Sequence, residues 1–94
     1  MDLGLKNKIG IITGGSDGIG KAAAISLSNE GAKVAIIGRN KKKLNDAVNE
    51  IISITSGEVI GISADVSNEN NVKEMVNSVV NKWGGIDILI NNAG

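Results

Sequence analysis

The 94-residue sequence contains no cysteine, no histidine, no tyrosine and no phenylalanine, and its single aromatic side chain is Trp83. Without cysteine or histidine, the usual structural zinc sites, disulfide scaffolds, thiol nucleophiles and His-based triads are excluded. One tryptophan offers no series of platforms for stacking nucleic-acid bases. Without tyrosine, proton transfer falls to Asp, Glu, Lys and the termini. Neither sign of charge dominates, since ten Lys and Arg balance ten Asp and Glu. No global field therefore draws the chain to nucleic acid or to an anionic membrane. No apolar run approaches the ~20 residues of a membrane span. Residues Met1 to Lys8 lack the apolar stretch of a signal peptide. The expectation is a soluble, cytoplasmic protein with no nucleic-acid and no membrane partner.

What is present is globular in character. Hydrophobic residues make up 41% and charged residues 21% of the chain, enough apolar material to form a core. The length allows one small domain, residues 1–94. Lys8 to Thr13 is short, apolar and β-branched, and reads as a buried strand. Ile19, Ala23 and Leu27 recur at helical spacing after it, and Gly31 suits the helix end. Val34 to Ile37 is a second buried strand. Asn40 is placed to cap a helix with Leu44, Ala47, Val48, Ile51 and Ile52 on its apolar face. A third strand runs from Val59 to Ala64. Ser67 is a candidate cap for the next helix, whose face is Val72, Met75, Val76, Val79, Val80 and Trp83. Gly84 and Gly85 end it, and Ile86 to Asn91 is a fourth strand. This β-α-β-α-β-α-β alternation with short links predicts an α/β fold, with a parallel sheet, right-handed crossovers and helices on the sheet faces.

The turn Thr13-Gly14-Gly15-Ser16-Asp17-Gly18-Ile19-Gly20 joins the first strand to the first helix. Glycine lets a backbone approach a ligand closely, and a helix N-terminus offers free N–H groups and partial positive charge to a phosphate. The spacing is Gly-x-x-x-Gly-x-Gly rather than the commoner Gly-x-Gly-x-x-Gly. A tight strand-to-helix link is the plain alternative. Gly15 to Ala22 also approaches a Walker A loop, with Gly20 and Lys21 in place. Ala22 stands where that motif needs a hydroxyl on magnesium, and Asp87 lies at the start of the fourth strand, not after it. A dinucleotide site therefore ranks above a P-loop.

Three motifs now stand in order: Thr13-Gly-x-x-x-Gly-Ile-Gly20, Asp65-Val66 after the third strand, and Asn91-Asn-Ala-Gly94 after the fourth. Together they resemble the short-chain dehydrogenase/reductase family, over essentially the whole chain. The resemblance implies a Rossmann-type doubly wound sheet of order 3-2-1-4, truncated after the fourth strand. It implies hydride transfer between a nicotinamide dinucleotide and an alcohol or carbonyl. Gly14, Ser16, Gly18, Ile19 and Gly20 would then line the pyrophosphate and its ribose. Asp65 would meet the adenine through its carboxylate and Val66 through its backbone, while Asn91, Ala93 and Gly94 would flank the nicotinamide ribose. Plain structural readings stand beside these: Asp65 helping Ser67 cap a helix, and Asn91 and Asn92 ending a strand.

The end of the second strand bears on which dinucleotide is taken. A carboxylate there would accept from a 2′-hydroxyl and repel a 2′-phosphate. The sequence instead reads Gly38-Arg39-Asn40-Lys41-Lys42-Lys43. Gly38 leaves room, and Arg39 can fork onto a phosphate. Asp17 in the glycine turn works against the phosphate, where phosphate-using relatives often carry a cation. The expectation is NADP over NAD. The Ser and Tyr-x-x-x-Lys catalytic set implied by the resemblance has no counterpart here, so no catalytic residue is assigned. Residues 1–94 read as a single incomplete dinucleotide-binding domain. A nucleotide-binding module without redox chemistry, or a module that pairs strands with a partner, remains the alternative. The fourth strand would form a sheet edge with Ile86, Ile88, Leu89 and Ile90 poorly covered. Each large aliphatic left exposed forfeits ~1.5–3 kcal/mol, and a bare edge invites pairing. Marginal stability or self-association is therefore expected.

Overall fold

A computed structural model describes residues 4–14 and 16–92. Its elements are β1 (Ile9–Thr13), α1 (Gly18–Asn29), β2 (Lys33–Gly38), α2 (Lys41–Thr55), β3 (Val59–Ser63), α3 (Glu69–Trp83) and β4 (Ile88–Asn91). The four strands form one sheet in the order β3-β2-β1-β4, and every pairing is parallel. The α/β architecture and strand order expected from the sequence are those observed. Among the described residues, no helix is long and apolar enough to cross a membrane.

The central strands explain their own composition. Every residue of β1 is buried, as are Val34 to Ile37 of β2. Strands covered on both faces need continuous apolar runs rather than alternation. The edge strands β3 and β4 alternate in exposure instead. One sheet face packs Ile12, Val34, Ile36 and Val59 against Ala24 of α1 and Leu44, Ala47 and Ile51 of α2. The other packs Ile9, Ile11, Ala35 and Ile37 against Met75 and Val79 of α3.

Several local expectations are corrected. The fully buried stripe of α1 is Gly20, Ala24 and Ser28; of the expected row, Ala23 and Leu27 are partly buried against the same core and Ile19 is not. Ile19 is 80% exposed, because small residues let the helix approach the sheet while Ile19 lies at the mouth of the glycine turn. The cap of α3 is Asn68, whose side chain accepts from the Asn71 N–H at 3.1 Å; Ser67 bonds back to Asp65 instead. β4 starts at Ile88, two residues later than expected. There the Asp87 carboxylate accepts from the Ile9 N–H at 2.9 Å and takes the place of a ladder bond. Asn40 caps α2 as expected, accepting from the Lys43 N–H at 3.0 Å. Gly31 and Gly84 take positive φ values of 89° and 92° at the ends of α1 and α3. Trp83 donates to Glu58 at 3.2 Å and packs at the end of α3, on the apolar face expected for it.

Candidate cofactor-binding site

The strands deliver their C-terminal ends to one side of the sheet, the position where open α/β folds hold ligands. A cleft of about 220 Å³ lies there. Gly14 and Asp17 of the turn after β1 line it together with Arg39 after β2 and Val66 after β3. These four were expected site residues. Ile37, Gly38, Ala64 and Asn92 also line it. Ala64 and Asn92 follow the last residues of β3 and β4, so the strand-end rule would have marked both.

The glycine turn is shaped by contacts that side chains would destroy. Gly14 has φ 69°, a left-handed conformation suited to glycine. Its N–H donates to the Ile37 carbonyl at 2.8 Å, which fastens the turn to β2. Its carbonyl accepts from the Asp17 N–H at 3.3 Å and from Asn92 Nδ2 at 3.4 Å. A Cβ at Gly20 would collide with that same Gly14 carbonyl oxygen and would come within 2.8 Å of Asn92 Nδ2. The turn and the first helical turn therefore lie against each other with no space for a side chain at position 20.

The start of α1 differs from the other helix starts. Asp17 occupies the N-cap position but makes no side-chain cap bond. The first helical bond runs from the Lys21 N–H to the Asp17 carbonyl at 2.7 Å. The amides of Gly18, Ile19 and Gly20 are the orphan donors of the first turn. Lys21 turns to α2 and meets Glu50 at 3.0 Å, away from the phosphate position that a Walker A lysine would serve.

A hydroxyl latch ties the ends of β1 and β4 together. Thr13 Oγ1 donates to Asn91 Oδ1 at 3.0 Å and accepts from the Asn92 N–H at 3.0 Å. Asn91 thus spends its side chain on Thr13, and Asn92 reaches the cleft. The expected residues Ala93 and Gly94 lie outside the described residues. Ser16 stands beside the second strand end: its hydroxyl is 3.6 Å from where a Cβ at Gly38 would be.

Asp65 is tied locally. Its Oδ1 accepts from the Ser67 hydroxyl at 2.6 Å and from the Ser67 N–H at 2.9 Å. The Ser67 hydroxyl, then its amide, hold the carboxyl below its ordinary value of 3.8, and Arg39 adds a smaller Coulombic pull in the same direction. Arg39 lines the cleft and lies near enough to Asp65 to exert that pull. Its own carbonyl accepts from the Ser63 hydroxyl at 3.2 Å, which fixes the backbone at the end of β2.

Known proteins share this arrangement. The short chain dehydrogenase family model matches residues 8–94. The short-chain dehydrogenase/reductase homolog YusS of Bacillus subtilis is 43% identical over 88 residues, which cover 93% of this chain and 80% of that protein. An uncharacterized oxidoreductase of Staphylococcus epidermidis is 39% identical over 90 residues; the chain spans 37% of its length. The L-sorbose reductase of Gluconobacter frateurii, solved with NADPH and L-sorbose, superposes with a TM-score of 0.94 at 37% identity, over 100% of this chain and 36% of that one. An NAD+-bound xylitol dehydrogenase superposes at 0.91 with 34% identity, over 96% of this chain and 34% of that one. The glycine turn, the strand order and the family match agree: the chain belongs to the short-chain dehydrogenase family and corresponds to the N-terminal part of its longer members.

Proposed function

We propose that this chain is the cofactor-binding part of a cytoplasmic oxidoreductase that takes NADP in preference to NAD. The observation that carries the reading is the cleft between Gly14, Asp17 and Arg39, beside a helix start that lacks a side-chain cap. The amides of Gly18, Ile19 and Gly20 suit a diphosphate, because orphan donors and the helix dipole favour an anion there. Ser16 adds a hydroxyl beside the same turn. Asp65 has Oδ2 available for the adenine amino group, since both Ser67 bonds fall on Oδ1. Val66 offers its backbone next to it. Asn91, Ala93 and Gly94 belong to the nicotinamide-ribose end of the same reading.

When bound, the nicotinamide ring supplies hydride transfer to or from an alcohol or carbonyl. The residues of this chain bind and orient; none is assigned a proton-transfer role, and the 94 residues contain no tyrosine. The L-sorbose reductase neighbour was solved with NADPH and the xylitol dehydrogenase with NAD+, which supports a nicotinamide cofactor of either kind. The preference for NADP rests on Arg39 at the cleft wall, where a carboxylate would repel a 2′-phosphate. Asp17, which lines the same cleft, opposes it.

Calorimetric titration with NADPH and NADH tests the reading. NADPH is expected to bind more tightly, and Arg39→Asp to shift the preference towards NADH by about tenfold or more. Tighter binding of NADH by the unaltered chain removes the NADP preference. Binding of neither dinucleotide by a folded chain removes the cofactor reading itself. The open side of β4 adds a surface for strand pairing, with a second copy or with another chain.

A further inference from the structure

The link from β3 to α3 satisfies nearly all of its own amides. The Ala64 N–H donates to the Gly38 carbonyl at 3.0 Å, and the Asn68 N–H donates to the Asp65 carbonyl at 3.0 Å. The Asp65 N–H donates to Asn71 Oδ1 at 3.2 Å, and the Ser67 N–H donates to Asp65 Oδ1 at 2.9 Å. Of the five amides at positions 64 to 68, that of Val66 alone has no partner among the described residues. Val66 is 38% exposed and lines the cleft. A link that pairs every neighbouring amide leaves this one donor to what enters the cleft.

The carboxylate of the preceding residue is divided in the same way. Asp65 Oδ1 accepts from both the Ser67 hydroxyl, at 2.6 Å, and the Ser67 amide. Oδ2 accepts from none of the described residues. The terminal torsion of an aspartate is broad when nothing holds it, and two donors on one oxygen restrict it. The same bonds favour the ionised form, which only accepts. Consecutive residues therefore offer an acceptor at Asp65 and a donor at Val66.

That pair matches one purine edge and rejects another. Adenine carries a 6-amino donor beside the N1 acceptor. Hypoxanthine carries a 6-oxo acceptor beside an N1–H donor, so both contacts set like against like. The phosphates and riboses of the two dinucleotides are identical, so the glycine turn and Arg39 have no part in the choice. We infer that Ser67 is a positioning residue for nucleobase selection: its hydroxyl occupies Asp65 Oδ1, leaves Oδ2 as the acceptor next in sequence to the free Val66 amide, and so makes the chain select a 6-aminopurine dinucleotide over its 6-oxopurine counterpart. The inference rests on the cofactor reading above and adds to it the side chain that fixes the carboxylate.

Calorimetric titration with NADPH and with its hypoxanthine analogue tests it. The unaltered chain is expected to prefer NADPH by about tenfold or more. Ser67→Ala removes the hydroxyl and should reduce that ratio to about threefold or less. Ser67→Thr keeps a hydroxyl and should keep the ratio. Asp65→Asn, whose amide can donate to a 6-oxo group, should abolish it. A merely structural role for Ser67 would weaken both dinucleotides alike and leave the ratio unmoved. Both ligands meet the same folded fraction, so the ratio also reads correctly in a variant that melts earlier. A ratio that Ser67→Ala leaves intact while Asp65→Asn abolishes it would overturn the inference and leave the cofactor reading standing. So would a ratio that Ser67→Thr loses as fully as Ser67→Ala. Equal affinities in the unaltered chain would overturn the inference and the adenine contact, but not dinucleotide binding. Binding of neither dinucleotide by the folded chain would remove the cofactor reading and the inference with it.

Discussion

The three helix starts of this domain face the same problem and solve it in two ways. α2 and α3 each begin at an asparagine whose side chain accepts from an amide of the first turn, Asn40 from Lys43 and Asn68 from Asn71. α1 begins at Asp17, which has the same kind of acceptor and does not use it as a cap. A cap is worth about 1 kcal/mol, so leaving one unmade costs stability unless the donors serve something else. The uncapped start is also the one that lies beside the cleft and rests on a glycine-only contact. The difference teaches that two helix starts are finished by the fold, while the third keeps its first-turn donors beside the cleft, as the proposed cofactor site requires.

The largest expected effect comes from filling the glycine contact. Gly20→Ala would drive a methyl into the Gly14 carbonyl and Asn92. We expect a loss of about 1–3 kcal/mol in denaturant unfolding, from overpacking, together with loss of dinucleotide binding in titration. A stable variant with unchanged affinity would show that the two turns need not touch.

The comparison between starts is sharpened by a pair of smaller changes. Asn68→Ala should cost about 1 kcal/mol of stability and leave dinucleotide affinity unchanged. Asp17→Ala should change stability by no more than about 0.5 kcal/mol, since it removes no cap bond. It should strengthen NADPH binding, because a carboxylate leaves the cleft that Arg39 lines. Equal stability losses in the two variants would erase the distinction.

The smallest effect is on titration. The Ser67 bonds hold Asp65 below 3.8. A carboxyl lowered in the folded state adds stability above its unfolded value and loses it as the pH falls through the lower folded value. Ser67→Ala removes the hydroxyl bond and should move the Asp65 pKa up towards 3.8 in an NMR titration, flattening the acid limb of stability. An unmoved pKa would assign the shift to the Ser67 amide and Arg39 rather than to the Ser67 hydroxyl.

Much of this was legible in residue order. Continuous apolar runs at Ile9–Thr13 and Val34–Ile37 marked the central strands, and Asn40 and Gly31 marked helix ends. The Gly14, Asp17, Arg39 and Val66 wall of the cleft was expected from motifs. Three things were not legible. Asn68 capped α3 although Ser67 has an equally suitable side chain, because Asp65 captured the Ser67 hydroxyl first. Ile19 fell on the helical period yet is exposed, because the small residues of α1 face the sheet. Asn92 was passed over beside Asn91; which of two adjacent asparagines enters the cleft depends on which one Thr13 holds.

Residue order alone determined the alternation of elements, because strand and helix periods and glycine stops act over a few neighbours. Tertiary contact decided which carbonyl lies against which glycine, which potential cap stays unused and which of two asparagines Thr13 holds. Those depend on the strand phase and on separations of nearly eighty residues along the chain, as between Gly14 and Asn92, and local spacing carries no record of them.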